Sequence, residues 1–197
     1  MENATNELIK RLANTRTDEN LFNPYNQVCK IFDVNTAPGL RQGNLRIFLD
    51  SFTNSSTDAL WVFDSADYFS TKLSGVPLMG PSSFTKVENI FGLTLHFEAA
   101  NKSSSLSAVP NAHAKLWNLI SKQKEHPLIW NVLPFYPHKR DDISTRREPT
   151  AQEYLKYSEF MHSVIAIYKP KSVLAVGNKA KSALDLLKIK SKLYSIN

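Results

Sequence analysis

Three short apolar runs, each separated from the next by helical stretches, constrain this chain more than any other feature. They are residues 59–63 (ALWVF), 128–133 (LIWNVL) and 172–176 (SVLAV), with a weaker fourth at 193–196 (LYSI). Runs this short are too brief for helices, and strands divided by helices pair in parallel through crossover connections. Between them, residues 7–14, 43–52, 112–122 and 179–187 carry apolar residues at helical spacing. Thr150 with Glu153 at capping-box spacing opens another helix through Tyr154, Tyr157, Phe160, Met161 and Val164. Phe22-Asn23-Pro24-Tyr25 reads as a turn, and residues 64–81 as a long polar loop. The expected fold is α/β, a three-layer α/β/α sandwich around a small, mostly parallel four-stranded central sheet. Ligands of such folds sit beyond the carboxyl ends of the strands. Here those ends are Asp64-Ser65, Leu133-Pro134 and Gly177-Asn178.

One of these ends is chemically odd. Asn131 interrupts an apolar run that then breaks at Pro134 and continues as Phe135-Tyr136-Pro137-His138-Lys139. An amide out of water costs free energy unless it finds partners. Asn131 is therefore either a satisfied core amide or a polar reader presented to a ligand.

Composition excludes several classes. The 197 residues, 42% apolar and 21% charged, fit one domain over 1–197. No apolar run has the length of a membrane span, and the start lacks the pattern of a signal peptide, so a cytoplasmic protein without membrane contact is expected. Cys29 is the single cysteine, which rules out an internal disulfide and a cysteine-built zinc or iron–sulfur site. No metal and no cofactor are expected. Of the net charge of +6, residues 169–197 alone supply all, with seven lysines against Asp185. That segment is either a solvated lysine-rich helix or one face of a polyanion footprint.

The strand-end motifs resemble the uracil-DNA glycosylase superfamily. Residues 130–150 (WNVLPFYPHKRDDISTRREPT) resemble its pattern of W-N, an apolar pair, P-F-x-P-H and a closing N/R-R-x-P-T. Residues 62–78 (VFDSADYFSTKLSGVPL) lie without gaps on V-G-E-A-P-G-Y followed by L-T-G-I-P-F, and Val176-Gly177-Asn178-Lys179-Ala180 matches its V-G-x-x-A step. Phe22-Asn23-Pro24-Tyr25, Arg41 and Asn44-Leu45 fall in order upstream. The departures are Phe63 for the opening glycine, Ala66-Asp67 for Pro-Gly, Ser65 at the position of a water-orienting acid or amide, and Leu78 for the base-stacking Phe. The family's last motif, His-Pro-Ser after the fourth strand, does not occur in the sequence, which implies a truncated chain or a natural loss.

The resemblance implies a DNA glycosylase of DNA repair or of defence against foreign DNA, acting as a monomer on DNA without cofactor. Such an enzyme hydrolyses the N-glycosidic bond of a flipped-out uracil or modified pyrimidine and leaves an abasic site. It assigns Asp64 as the catalytic carboxylate with Ser65 beside it. Asn131 reads the flipped base, while Tyr68, Phe69 and Leu78 wall the pocket. His138 either contacts substrate or only fixes its loop. Lys139, Arg140, Arg146, Arg147 and Lys179 contact the DNA backbone, with Asp141 and Asp142 offsetting part of that charge. Leucine for phenylalanine at position 78 implies a looser wall and a bulkier pyrimidine than uracil. The rival expectation is a catalytically inactive DNA- or protein-binding member of the same fold. A flavodoxin-type nucleotide binder lacks the Gly-rich phosphate loop it would need.

Overall fold

The computed structural model describes residues 2–52, 57–102 and 111–194. Its centre is a four-stranded, all-parallel sheet built from β2 (Ala59–Ser65), β3 (Leu128–Leu133), β6 (Ser172–Val176) and β7 (Lys192–Tyr194), in the spatial order β3-β2-β6-β7. The four expected strands are present, and the sheet pairs as expected. Residues 195 and 196 of the expected fourth strand lie outside the described residues.

Right-handed crossovers dictate the layers. The step from β2 to β3 runs one way across the sheet; those from β3 to β6 and from β6 to β7 run the other way. Their helices therefore lie on opposite faces. The connection after β2 supplies α3 (Thr71–Ser74), α4 (Phe84–Phe91) and α5 (Asn111–Ile120). The later connections supply α6 (Ala151–Lys156), α7 (Ser158–Tyr168) and α8 (Asn178–Leu186), with α7 on β3 and α8 on β2 and β6. Two N-terminal helices complete the layers: α1 (Glu2–Asn14), packed on α2 and α7, and α2 (Ala37–Asp50). Phe48 of α2, Phe91 of α4 and Trp117 of α5 meet edge to face. One continuous core runs from these rings through β2 and β3 to Phe160 and Leu184.

Four local expectations are corrected. Helix α2 starts at Ala37, not 43, because Pro38 in its first turn presets the backbone for a helix start. The helix expected from Thr150 is two helices, broken at Tyr157; Thr150 does cap the first in a capping box with Glu153. The loop after Pro134 is a second, antiparallel sheet: β1 (Leu21–Phe22), β4 (Tyr136–Lys139) and β5 (Asp142–Arg146), in the order β1-β4-β5. Residues 64–81 are not one long polar loop: Asp64 and Ser65 end β2, Thr71–Ser74 form α3, and every residue from 70 to 80 is buried. Gly75 explains how that segment lies so deep. At φ +83 it touches α2 so closely that a Cβ would collide with the Arg41 carbonyl oxygen.

Candidate functional site

With strand order β3-β2-β6-β7, the chain enters at β2, steps to one side, then returns to the other. The crevice outside the carboxyl ends of β2 and β6 is thus the topological switch point, where open α/β sheets take their ligands. Asp64-Ser65 ends β2, and Gly177 (φ +90) turns the chain from β6 into α8.

A row of alternating charges crosses this crevice. Arg146 Nη2 donates to Asp64 Oδ2 at 2.6 Å and to Ser65 Oγ at 2.8 Å. Arg146 Nη1 reaches Glu148 Oε1 at 3.3 Å, and Lys179 Nζ donates to the same oxygen at 2.7 Å. Burial works against the Arg146 charge, but Asp64 outweighs it and holds the guanidinium above its usual range. Glu148 is held below the carboxylate range, first by the Lys179 hydrogen bond. Beside this row a cleft of about 360 Å³ opens between α6 and α8, lined by Glu148, Tyr154, Asn178, Lys179 and Leu186. Burial, then the Asp64 charge, pushes the Tyr154 phenol up.

Asn131 sits one strand away. It pairs in register with Phe63 on β2, and Leu133 pairs with Ser65. Side chains alternate along a strand, so Asp64 leaves the sheet on the face opposite Phe63 and Asn131. Their partners differ accordingly. The Asn131 amide is buried and donates to Thr71 Oγ1 at 3.0 Å. Ser65 links the two, sharing a face with Asn131 and the Arg146 guanidinium with Asp64.

The expected walls divide as well. Leu78 is buried in the left-handed region (φ 59), strained for a branched side chain, and its carbonyl accepts from Trp117 Nε1 at 2.9 Å. Tyr68 is buried against Phe32 and Tyr136, whereas Phe69 is 43% exposed. Asp67 Oδ1 fixes the tip by accepting from the backbone amides of Phe69 and Ser70, both at 2.9 Å.

The basic residues are mostly engaged. Arg147 makes two hydrogen bonds to Glu153 and others to the carbonyls of Asn20, His138 and Glu148, so it staples the second sheet to α6. Arg140 pairs with Glu19 on the open surface at 3.2 Å. Lys139 is exposed with no ion pair among the described residues. His138 stacks on Tyr136 and its Nδ1 meets the Lys139 carbonyl at 2.8 Å, which ties the ring to its own loop.

Behind Tyr68 lies a second polar cluster that sequence reasoning missed. Arg41 and Asp33, both fully buried, pair at 2.6 Å. Lys72 is fully buried too; its Nζ has no hydrogen-bond partner among the described residues and faces the rings of Tyr68, Phe22 and Phe32 at 4.8, 5.2 and 5.5 Å. Burial drives its pKa down. Thr71, Glu148 and Tyr154 were missed as well. Glu148 is the variable position of the family-like Arg-x-Pro-Thr stretch at 147–150 and Tyr154 stands one helical turn beyond it, which is the one signal that could have found them.

Among the described residues, no three His, Cys, Asp or Glu side chains are grouped to hold a metal ion, and no helix is long and apolar enough to cross a membrane. Compared with known protein families and with curated proteins, the sequence matches none of either.

Proposed function

We propose that the protein is a DNA glycosylase that hydrolyses the N-glycosidic bond of a flipped-out pyrimidine. The observation that carries this reading is the pairing of Phe63 with Asn131 and of Ser65 with Leu133. It sets a carboxylate–serine–arginine group at the switch-point end of β2 beside the strand that carries the buried amide, with Ser65, on the face of Asn131, joined to Asp64 through Arg146. The motif resemblance adds the base-reading role of Asn131.

The chemistry has two electrostatic demands. As the C1′–N1 bond breaks, its electron pair leaves with the base and the sugar becomes cationic; water then adds to C1′ and loses a proton, and the departed base anion takes one up to leave as the neutral base. A preorganised carboxylate answers the cationic sugar, and amide donors answer the anionic base. Asp64 meets the first demand, oriented by Arg146, and Ser65 Oγ is positioned to hold water. The Asn131 amide meets the second by exchanging Thr71 Oγ1 for a base carbonyl. Because Asn131 is 3% exposed, that exchange needs the segment carrying Tyr68 to Thr71 to move. Leu78 in place of an aromatic wall favours a pyrimidine bulkier than uracil at its 5-position.

Oligonucleotides carrying uracil or 5-substituted cytosines, scored for abasic-site formation, test the proposal. Release of the modified bases is expected, and Asp64→Asn should slow it by about 10²–10³-fold while DNA binding persists. No release of any base, with DNA binding intact, would favour the second reading, a non-catalytic DNA binder. One observation supports that reading: Arg146 already occupies both Asp64 and Ser65.

A further inference from the structure

We infer that the amino end of the sheet carries a second nucleic-acid site, which binds backbone phosphates about a strand length (~16 Å) from the switch-point crevice. A pocket of about 410 Å³ opens there between the starts of β6 and β7, lined by Lys171, Ser172, Lys190, Ser191 and Lys192. It gathers lysines from the segment that supplies the whole net charge of the chain.

Helix dipoles explain only part of this charge. Helix α7 ends at Tyr168 and α8 at Leu186, and Lys169 and Lys188 stand just beyond those ends, where cations are favoured. Lys171 is balanced by Asp58 at 2.6 Å. Lys190 and Lys192 are exposed, lie past the last turn of α8, and pair with no acid among the described residues. Their charge is surplus. In the same pocket the Ser191 hydroxyl oxygen is out of contact with solvent and has no hydrogen-bond partner among the described residues, an arrangement that costs free energy unless the hydroxyl turns to a ligand in the pocket.

The occupant is a phosphate of a nucleic-acid backbone. Lysines act as point charges with rotatable donors, which suits the closely spaced charges of a phosphodiester backbone and needs no fixed bidentate geometry. Uncompensated lysines gain affinity by releasing condensed counterions, a term that needs no base contact. The inference goes beyond base excision and does not rest on it. A chain that releases no base still has the second site if the binding result holds.

The test is duplex binding by fluorescence anisotropy between about 50 and 200 mM salt, for the protein and for K190Q/K192Q. Both substituted side chains are exposed, so equal melting temperatures are expected. The variant should bind about tenfold more weakly at the lowest salt, with the slope of log K against log salt shallower by about 1.8, or about 0.9 per phosphate lost. The single K192Q should lose half of that. An unchanged slope overturns the inference. Inorganic phosphate, added at matched ionic strength, separates the sources. If it leaves the difference between protein and variant intact, backbone phosphates fill the site; if it erases the difference, the pocket holds free phosphate and the nucleic-acid site is overturned.

Discussion

Two charged clusters sit within the same fold, and they are built on opposite terms. The rim row of Asp64, Arg146, Glu148 and Lys179 is partly solvated: Arg146 is 31% exposed and Glu148 58%. The inner cluster of Arg41, Asp33 and Lys72 is wholly out of water. In the rim, the exposed Glu148–Lys179 pair can trade partners for a phosphate or substrate oxygen at small cost, because exposed pairs contribute only about 0–1 kcal/mol, while Arg146 and Asp64 sit between the two extremes. In the inner cluster no trade is open, since removing one partner strands the other in a low-dielectric interior. The contrast separates a surface that can respond to a ligand from a brace that must not.

The sharpest way to break this contrast is to remove Asp33. Asp33→Ala leaves Arg41 buried without its counter-ion and should destabilise the fold by about 3–5 kcal/mol, read from denaturant midpoints. A loss under about 1 kcal/mol would mean that the inner pair is as exchangeable as the rim. Gly75→Ala attacks the same brace from the backbone. It forces a Cβ into the Arg41 carbonyl at a left-handed position, and a loss of about 3 kcal/mol is expected. Thermal melts of the variant check it.

The inner cluster is also the part of the molecule the sequence hid. Strands β2, β3 and β6 were legible because runs such as LIWNVL leave little alternative to burial on both faces. Arg41 and Lys72 were not, because a charged side chain is read as exposed unless its partners are known, and Asp33 lies far from Lys72 along the chain. The ribbon of β4 and β5 escaped for a different reason. Tyr136-Pro137-His138-Lys139 has no apolar–polar alternation, and its strand order depends on pairing with Leu21-Phe22 over a hundred residues away. At the site, Asp64, Ser65 and Asn131 were legible as strand ends. That alternation along β2 puts Asp64 and Asn131 on opposite faces follows only from the register of β2 with β3.

Lys72 gives a pH-dependent test of the same contrast. Its folded pKa is lowered by burial, so between that value and its ordinary value near 10.4 the unfolded chain binds the extra proton. Stability should therefore climb as pH rises through this window. Lys72→Met keeps the stem among Phe22, Phe32 and Tyr68 and removes the charge. It should leave the fold equally stable or about 1–2 kcal/mol more stable at neutral pH, and should flatten the climb. Denaturation at several pH values reads both. A climb unchanged in the variant would assign it to another group and leave Lys72 a comfortable cation among its rings.

The smallest expected effect is the most diagnostic for the rim. Glu148→Gln removes the acid shared by Arg146 and Lys179. Glu148 titrates below its ordinary range, so its contribution is present above about pH 4.3 and fades as pH falls through the lowered value. Its exposure discounts that contribution to within about 0.5 kcal/mol, and salt should screen what remains. The functional consequence runs the other way. Lys179, released at the mouth of the crevice, becomes a free cation beside the proposed DNA path, and on that proposal affinity for a duplex should rise by about 2–5-fold at low salt, with a steeper salt slope. Binding and melting measured on one preparation decide the matter. If Glu148→Gln instead destabilised the chain as severely as Asp33→Ala, the rim would be a brace like the inner cluster, and its arginine would be in no position to yield Asp64 to a substrate.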